Sequence, residues 1–145
     1  MREQGSQAET VPALEWSDSL SVSVMEIDEQ HKKLVEVINE LNSKLRAGSS
    51  PEEQKKAIEE IVYLISDNMR LEENMMQEFH FPGFKAHLLC HAEVAAMLHK
   101  LRSQSEQAGF MLTPEVPAVL MNCLNSHIRD VDRRYSACFN RNGMR

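Results

Sequence analysis

The apolar residues of this chain recur every three or four positions through four successive stretches, a periodicity that only helices satisfy. The first stretch runs from about Met25 to Arg46, with Leu34, Val35, Ile38, Leu41 and Leu45 as its stripe and Gly48 just past its end. The second opens at Ser50-Pro51-Glu52-Glu53, where Ser50 can cap, Pro51 suits the first turn and Glu53 completes a capping box. Its stripe is Ile58, Ile61, Ile65, Asn68, Glu72, Met75 or Met76, and Phe79. Phe81-Pro82-Gly83 breaks the chain, and a third helix is expected from about residue 84 to 103, with His87, His91, Val94, Leu98 and Leu101 on one face. Thr113-Pro114-Glu115 opens the fourth in the manner of the second, and its stripe is Val116, Leu120, Leu124, His127, Val131 and Tyr135. Short connections make sequential helices antiparallel, so the expected fold is all-α: an antiparallel up-down-up-down four-helix bundle. Residues 14–140 form this bundle, residues 1–13 a flexible N-terminal arm and residues 141–145 a C-terminal tail. Residues 16–24 read as an extended lead-in, with Trp16 as a lid over the bundle end or a residue lining a ligand path.

Composition narrows the partners. The chain has 145 residues, enough for one domain with one core. A formal net charge of −6 argues against nucleic acid or an anionic membrane, both of which want a basic face. No apolar run approaches the roughly 18 residues of a membrane span. The first ten residues, MREQGSQAET, carry no apolar signal-peptide core. Cys90, Cys123 and Cys138 are odd in number and form no close pair, which fits a reduced, cytoplasmic chain. The methionines at helical spacing (Met69, Met75, Met76, Met97) read as core filler.

The stripes are not purely apolar. His31 falls on the backward projection of the first, Glu72 on the second, His87 and His91 on the third, and His127 on the fourth. A buried histidine or carboxylate without a partner costs several kcal/mol or shifts its pKa. One such residue is an accident of packing, whereas five on four facing helices call for a common cause, and a bound cation supplies it. His87 and His91 are four apart and can share one metal. Odd helices present their early turns and even helices their late turns, which puts all five in one layer toward one end of the bundle. Imidazole and carboxylate without thiolate favour iron or manganese over structural zinc. Four histidines and a carboxylate able to bridge exceed the needs of one tetrahedral ion, so two metals fit better. Asp130 and Asp132 are further candidates on equal footing with a solvated face. Asp132 lies five residues after His127 and needs a π-bulge to turn inward.

These residues resemble a known family. Ile27-Asp28-Glu29-Gln30-His31-Lys32-Lys33-Leu34 resembles the first-helix motif of the bacterial hemerythrins. Glu72-Glu73-Asn74-Met75-Met76, followed by Phe81-Pro82, His87 and His91, is similar to their second-to-third helix block, and His127-Ile128-Arg129-Asp130-Val131-Asp132 to their last motif. Trp16 matches a tryptophan that precedes the first helix in many members. The resemblance implies a non-heme di-iron centre. One iron would be held by His87, His91 and His127. The other would be held by two histidines, the first matching His31. Glu72 and Asp132 would bridge them. It implies dioxygen as the ligand, taken up at the two-histidine iron, and a carrier, store or sensor rather than an enzyme. A monomer or small homo-oligomer is expected.

The sequence departs from the family at one place. The histidine that stands four residues before the bridging glutamate is here Asn68. His80 is roughly 18 Å along the helix from it, and His99 lies roughly 12 Å beyond His91, so neither can replace it. Asn68 offers a carbonyl oxygen, a harder and weaker ligand than imidazole, or serves as a hydrogen-bonded core amide. Cys123, one turn before His127, belongs to the three-histidine side and is a poor substitute. The weakened second iron leaves an alternative function open: a di-iron or mono-iron redox enzyme acting on dioxygen, peroxide or nitric oxide.

Overall fold

The computed structural model describes residues 15–145. The expected arm, residues 1–13, lies outside the described residues. Four long helices carry the fold: α1 Met25–Arg46, α2 Pro51–Glu78, α3 Phe84–Ser105 and α4 Val116–Asp130. A short α5, Ser136–Arg141, follows a 3-10 turn at Asp132–Tyr135. No strand occurs among the described residues. The expected all-α four-helix bundle is the architecture observed. α1 packs against α2 and α4, and α2 against α3. Among the described residues, no helix is long and apolar enough to cross a membrane.

Local chemistry sets the ends of the helices. The Ser50 hydroxyl accepts from the Glu53 amide at 3.2 Å, with Pro51 in the first turn, as the capping signal requires. α4 does not start the same way. Residues 114–115 form a turn in which Val116 N donates to Thr113 O at 3.2 Å, and the helix begins only at Val116, with Pro117 in its first turn. Glu115 holds the cap position without a side-chain hydrogen bond. The second proline meets the same demand for a fixed φ as the first, and the helix starts there. Buried Gln54 joins the two regions: its Nε2 donates to Ser49 O, and its Oε1 accepts from Leu112 N at 2.9 Å.

The core has two apolar parts. One is built from Val35, Ile38, Leu41, Ile58, Ile61 and Leu98 with their neighbours. The other gathers Leu20, Val22, Ile27, Met76, Ile128 and Phe139. The second part uses the lead-in and α5, so the polar layer is not at the open end of the bundle but between two apolar blocks. The lead-in is not simply extended, because Asp18–Leu20 is a 3-10 turn. Asp28 pins it to α1 by accepting from Val22 N at 2.9 Å and Ser21 Oγ at 2.6 Å. Trp16 packs against both apolar parts and lies under Lys32 Nζ, 5.6 Å from its ring centroid. It flanks the bundle at the level of the polar layer rather than closing its end.

α2 ends in a Schellman turn. Phe81 N donates to Met76 O and His80 N to Gln77 O, and His80 occupies the left-handed position at φ 52°. An L side chain at that position costs about 1–2 kcal/mol that glycine avoids, although glycine also loosens the unfolded chain. His80 is exposed. His80→Gly is expected to raise unfolding free energy by about 0.5–1 kcal/mol, read as a higher urea midpoint at unchanged slope.

Candidate metal centre

Between the two apolar blocks the bundle buries a polar layer. His31 and Glu72 are 0 % exposed, as is Asp132, and His87 and His91 are nearly so. His31 reaches it from the second turn of α1, Glu72 from the late turns of α2, His87 and His91 from the first turns of α3, and His127 from the end of α4. Asp132 arrives by a helix break and not by the expected π-bulge. α4 stops at Asp130, Val131 departs to φ −117°, and the chain tightens into the 3-10 turn that begins at Asp132. Asp130 remains on the exposed surface.

The two carboxylates each divide their oxygens between two sides. Glu72 Oε2 lies 3.1 Å from His91 Nε2 and 3.7 Å from His87 Nε2. Asp132 Oδ1 lies 3.1 Å from His87 Nε2 and 3.0 Å from His127 Nε2. The other oxygens face His31: Glu72 Oε1 is 3.5 Å and Asp132 Oδ2 3.3 Å from its Nε2. Glu72, His87, His91, His127 and Asp132 each bring one ligand atom within 4.8 Å of all the others, a group able to hold a metal ion. His31 sits across the carboxylates from that group.

Orphaned atoms test whether a cation fits. The Nε2 atoms of His31, His87 and His91, Glu72 Oε2 and both oxygens of Asp132 are buried without a hydrogen-bond partner. Their mutual contacts have the distance of hydrogen bonds but not the alignment. A native interior rarely leaves one such atom unsatisfied, and six aimed at a common space fit a cation site. The donor set, nitrogen and carboxylate oxygen, suits iron.

Electrostatics agree with the geometry. Burial works against charge on His31 and His87, but the Asp132 and Glu72 carboxylates outweigh it and raise each to about 9. Burial and the neighbouring Asp132 push Glu72 up, and the surrounding histidines more than reverse this, leaving it below its ordinary value. Burial likewise opposes the Asp132 charge, yet His127, His31 and His87 hold it well below the usual carboxylate range.

Two supporting residues were not apparent from spacing. Tyr135 is fully buried, donates its hydroxyl to Glu72 Oε1 at 2.8 Å and stacks on His87 with ring centroids 5.6 Å apart. Burial and the two carboxylates push that phenol well above its ordinary value, so it stays a donor. The signal available was a tyrosine on an inward stripe, whose polar tip must find a partner. Gln30 is the second, and its Oε1 accepts from Asn68 Nδ2 at 2.9 Å. Asn68 and Cys123, assigned to opposite sides from sequence, line one small cavity of about 40 Å³ between α2, α3 and α4. Burial raises the Cys123 thiol above its ordinary value, which suits an inert wall rather than a ligand.

A histidine must give up its proton to bind a metal. In the metal-free protein the folded-state pKa of His31 and His87 exceeds the unfolded value, so their stabilising contribution is complete below about 6.5 and is lost as pH rises through about 9. The metal-free urea midpoint is expected to fall between pH 6.5 and 9, while metal uptake at pH 7 releases protons, measurable in weakly buffered solution. A flat midpoint across that range with no proton release would contradict this charge arrangement.

Comparison with known proteins follows the same lines. A profile of the Hemerythrin HHE cation binding domain matches residues 23–138. The chain is 29% identical over 127 residues to a bacteriohemerythrin of Stenotrophomonas maltophilia, covering 85% of this chain and 79% of that one. It is 30% identical over 122 residues to a bacteriohemerythrin of Pseudomonas aeruginosa, covering 84% and 78%. A myohemerythrin of Sipunculus nudus is 28% identical over 120 residues, covering 83% and 88%. Among solved structures, a wild-type hemerythrin crystal structure superposes with a TM-score of 0.82 at 21% identity, covering 88% of this chain and 98% of that one. The buried layer of histidines and carboxylates thus falls within the matched segment, and the chain belongs to the hemerythrin HHE cation-binding domain family.

Proposed function

We propose that this protein holds two iron ions in the buried layer and binds dioxygen there, as a carrier, store or sensor. The observation that carries the reading is the division of Glu72 and Asp132, each with one oxygen toward His87, His91 and His127 and the other toward His31. A single ion among His87, His91 and His127 would leave Asp132 Oδ2 and His31 Nε2 buried without a partner, a costly arrangement. The first iron would be held by His87, His91, His127, Glu72 and Asp132. The second would be held by His31 and the opposite oxygens, with Asn68 one turn before Glu72 on the same face of α2.

Bound iron would supply the electrons that dioxygen binding draws on. The chain supplies the surroundings. Tyr135 fixes the orientation of Glu72 through Oε1. The cavity beside Asn68 is walled by Ile65, Val94, Leu120 and Leu124, and it also touches His127 and Asp132. An apolar pocket of this size suits a small uncharged molecule and offers no cationic group to recognise a larger anionic substrate.

Asn68 favours one second reading, because an oxygen donor in place of imidazole holds the second iron less firmly and leaves room for redox turnover of dioxygen, peroxide or nitric oxide. One experiment separates the two. Protein loaded anaerobically with ferrous iron is assayed for iron per chain, and its absorption spectrum is followed through cycles of air and argon. Two irons with a band that appears in air and disappears under argon are expected. Irreversible oxidation, or steady consumption of added reductant under air, would replace the carrier reading with the redox one.

A further inference from the structure

We propose that the two metal positions differ in kind: the position beside His31 is completed by the Asn68 carbonyl, held in place by Gln30, and accepts Mn(II) far more readily than the three-histidine position does. The inference rests on the reading that the layer holds two metal ions.

The donors differ sharply across the carboxylates. On one side stand three imidazole nitrogens, His87, His91 and His127, with one oxygen each from Glu72 and Asp132. On the other side only one imidazole, His31, faces the remaining two oxygens. Asn68 is 5 % exposed, and its amide reaches Gln30, the residue beside His31, while its cavity also touches His127 and Asp132. Its carbonyl would add a third oxygen to a side that has a single nitrogen.

An amide can present either of two ends, and only the carbonyl can ligate a cation. Gln30 decides between them. Its Oε1 accepts from Asn68 Nδ2 at 2.9 Å, which commits the NH₂ end to α1 and leaves the carbonyl as the end free to ligate. Gln30 immediately precedes His31, so one turn of α1 supplies both an imidazole and the acceptor that orients the neighbouring amide. Gln30 is a positioning residue. Without it the amide is free to turn its two N–H donors inward, toward a cation they would repel.

Iron binds ahead of manganese at most sites of this type, and the margin depends on the donors. Imidazole favours iron, whereas carboxylate and carbonyl oxygen suit manganese. The margin is therefore narrow beside His31 and wide at the three-histidine position.

The test is an anaerobic competition titration of the metal-free full chain with Fe(II) and Mn(II). Bound manganese is read by electron paramagnetic resonance and bound iron by chelator colorimetry. The Mn-to-Fe affinity ratio is expected to be about tenfold higher for the second equivalent than for the first. Asn68→His should bring the second ratio down toward the first. Gln30→Ala, at a half-buried position, should weaken the second equivalent by about tenfold and spare the first, while Gln30→Glu, which keeps the acceptor, should restore it. Equal ratios for two bound equivalents, or a ratio unmoved by Asn68→His, would overturn this inference and leave the two-metal reading standing. Binding of a single equivalent would overturn both.

Discussion

Two carboxylates buried at zero exposure dominate this structure. Taking Glu72 and Asp132 out of water costs several kcal/mol each, and placing them together adds repulsion. The bundle bears this cost only because four histidines converge on the same oxygens. In the metal-free protein His31 and His87 carry compensating charge as protons, and a bound cation would take over that role. Much of the remaining fold serves the arrangement. The lead-in and α5 close the bundle end with apolar side chains, which keeps water from the layer. Asp28 fastens the lead-in, and Tyr135 fastens Glu72.

How far the sequence could be read depends on which residues obey helical periodicity. His31, Glu72, His87, His91 and His127 lie on regular stripes, and the structure brings them together in one layer, as spacing alone implied. Asp132 does not obey the period. It turns inward because α4 ends at Asp130 and a 3-10 turn follows, and nothing in a 3.6-residue pattern announces such a break. The start of α4 misled for a related reason: two prolines compete for the first turn, and Pro117 prevails over Pro114. Trp16 was expected as a lid over the bundle end or along a ligand path, after an extended lead-in. The 3-10 turn at Asp18–Leu20 and the anchor at Asp28 set it along the flank instead. Gln30 and Tyr135 act through single hydrogen bonds across the bundle, which no local pattern records.

The layer is asymmetric about its two carboxylates. His87, His91 and His127 stand on one side and His31 alone on the other, where the proposed reading adds the Asn68 oxygen. The same residue forms part of the apolar cavity, whose lining also includes His127 and Asp132, so a small molecule held there lies against the layer. In the proposed reading, a change at residue 68 would act on both metal preference and ligand access, whereas a change at His87 or His91 would act on the opposite side.

The central claim is that Glu72 and Asp132 bridge two metal positions. Anomalous diffraction from crystals of the metal-loaded protein tests it most directly. Two anomalous peaks are expected, one among His87, His91 and His127 and one beside His31, with both carboxylates between them. A single peak, or two peaks of which one lies away from Glu72 and Asp132, would contradict it.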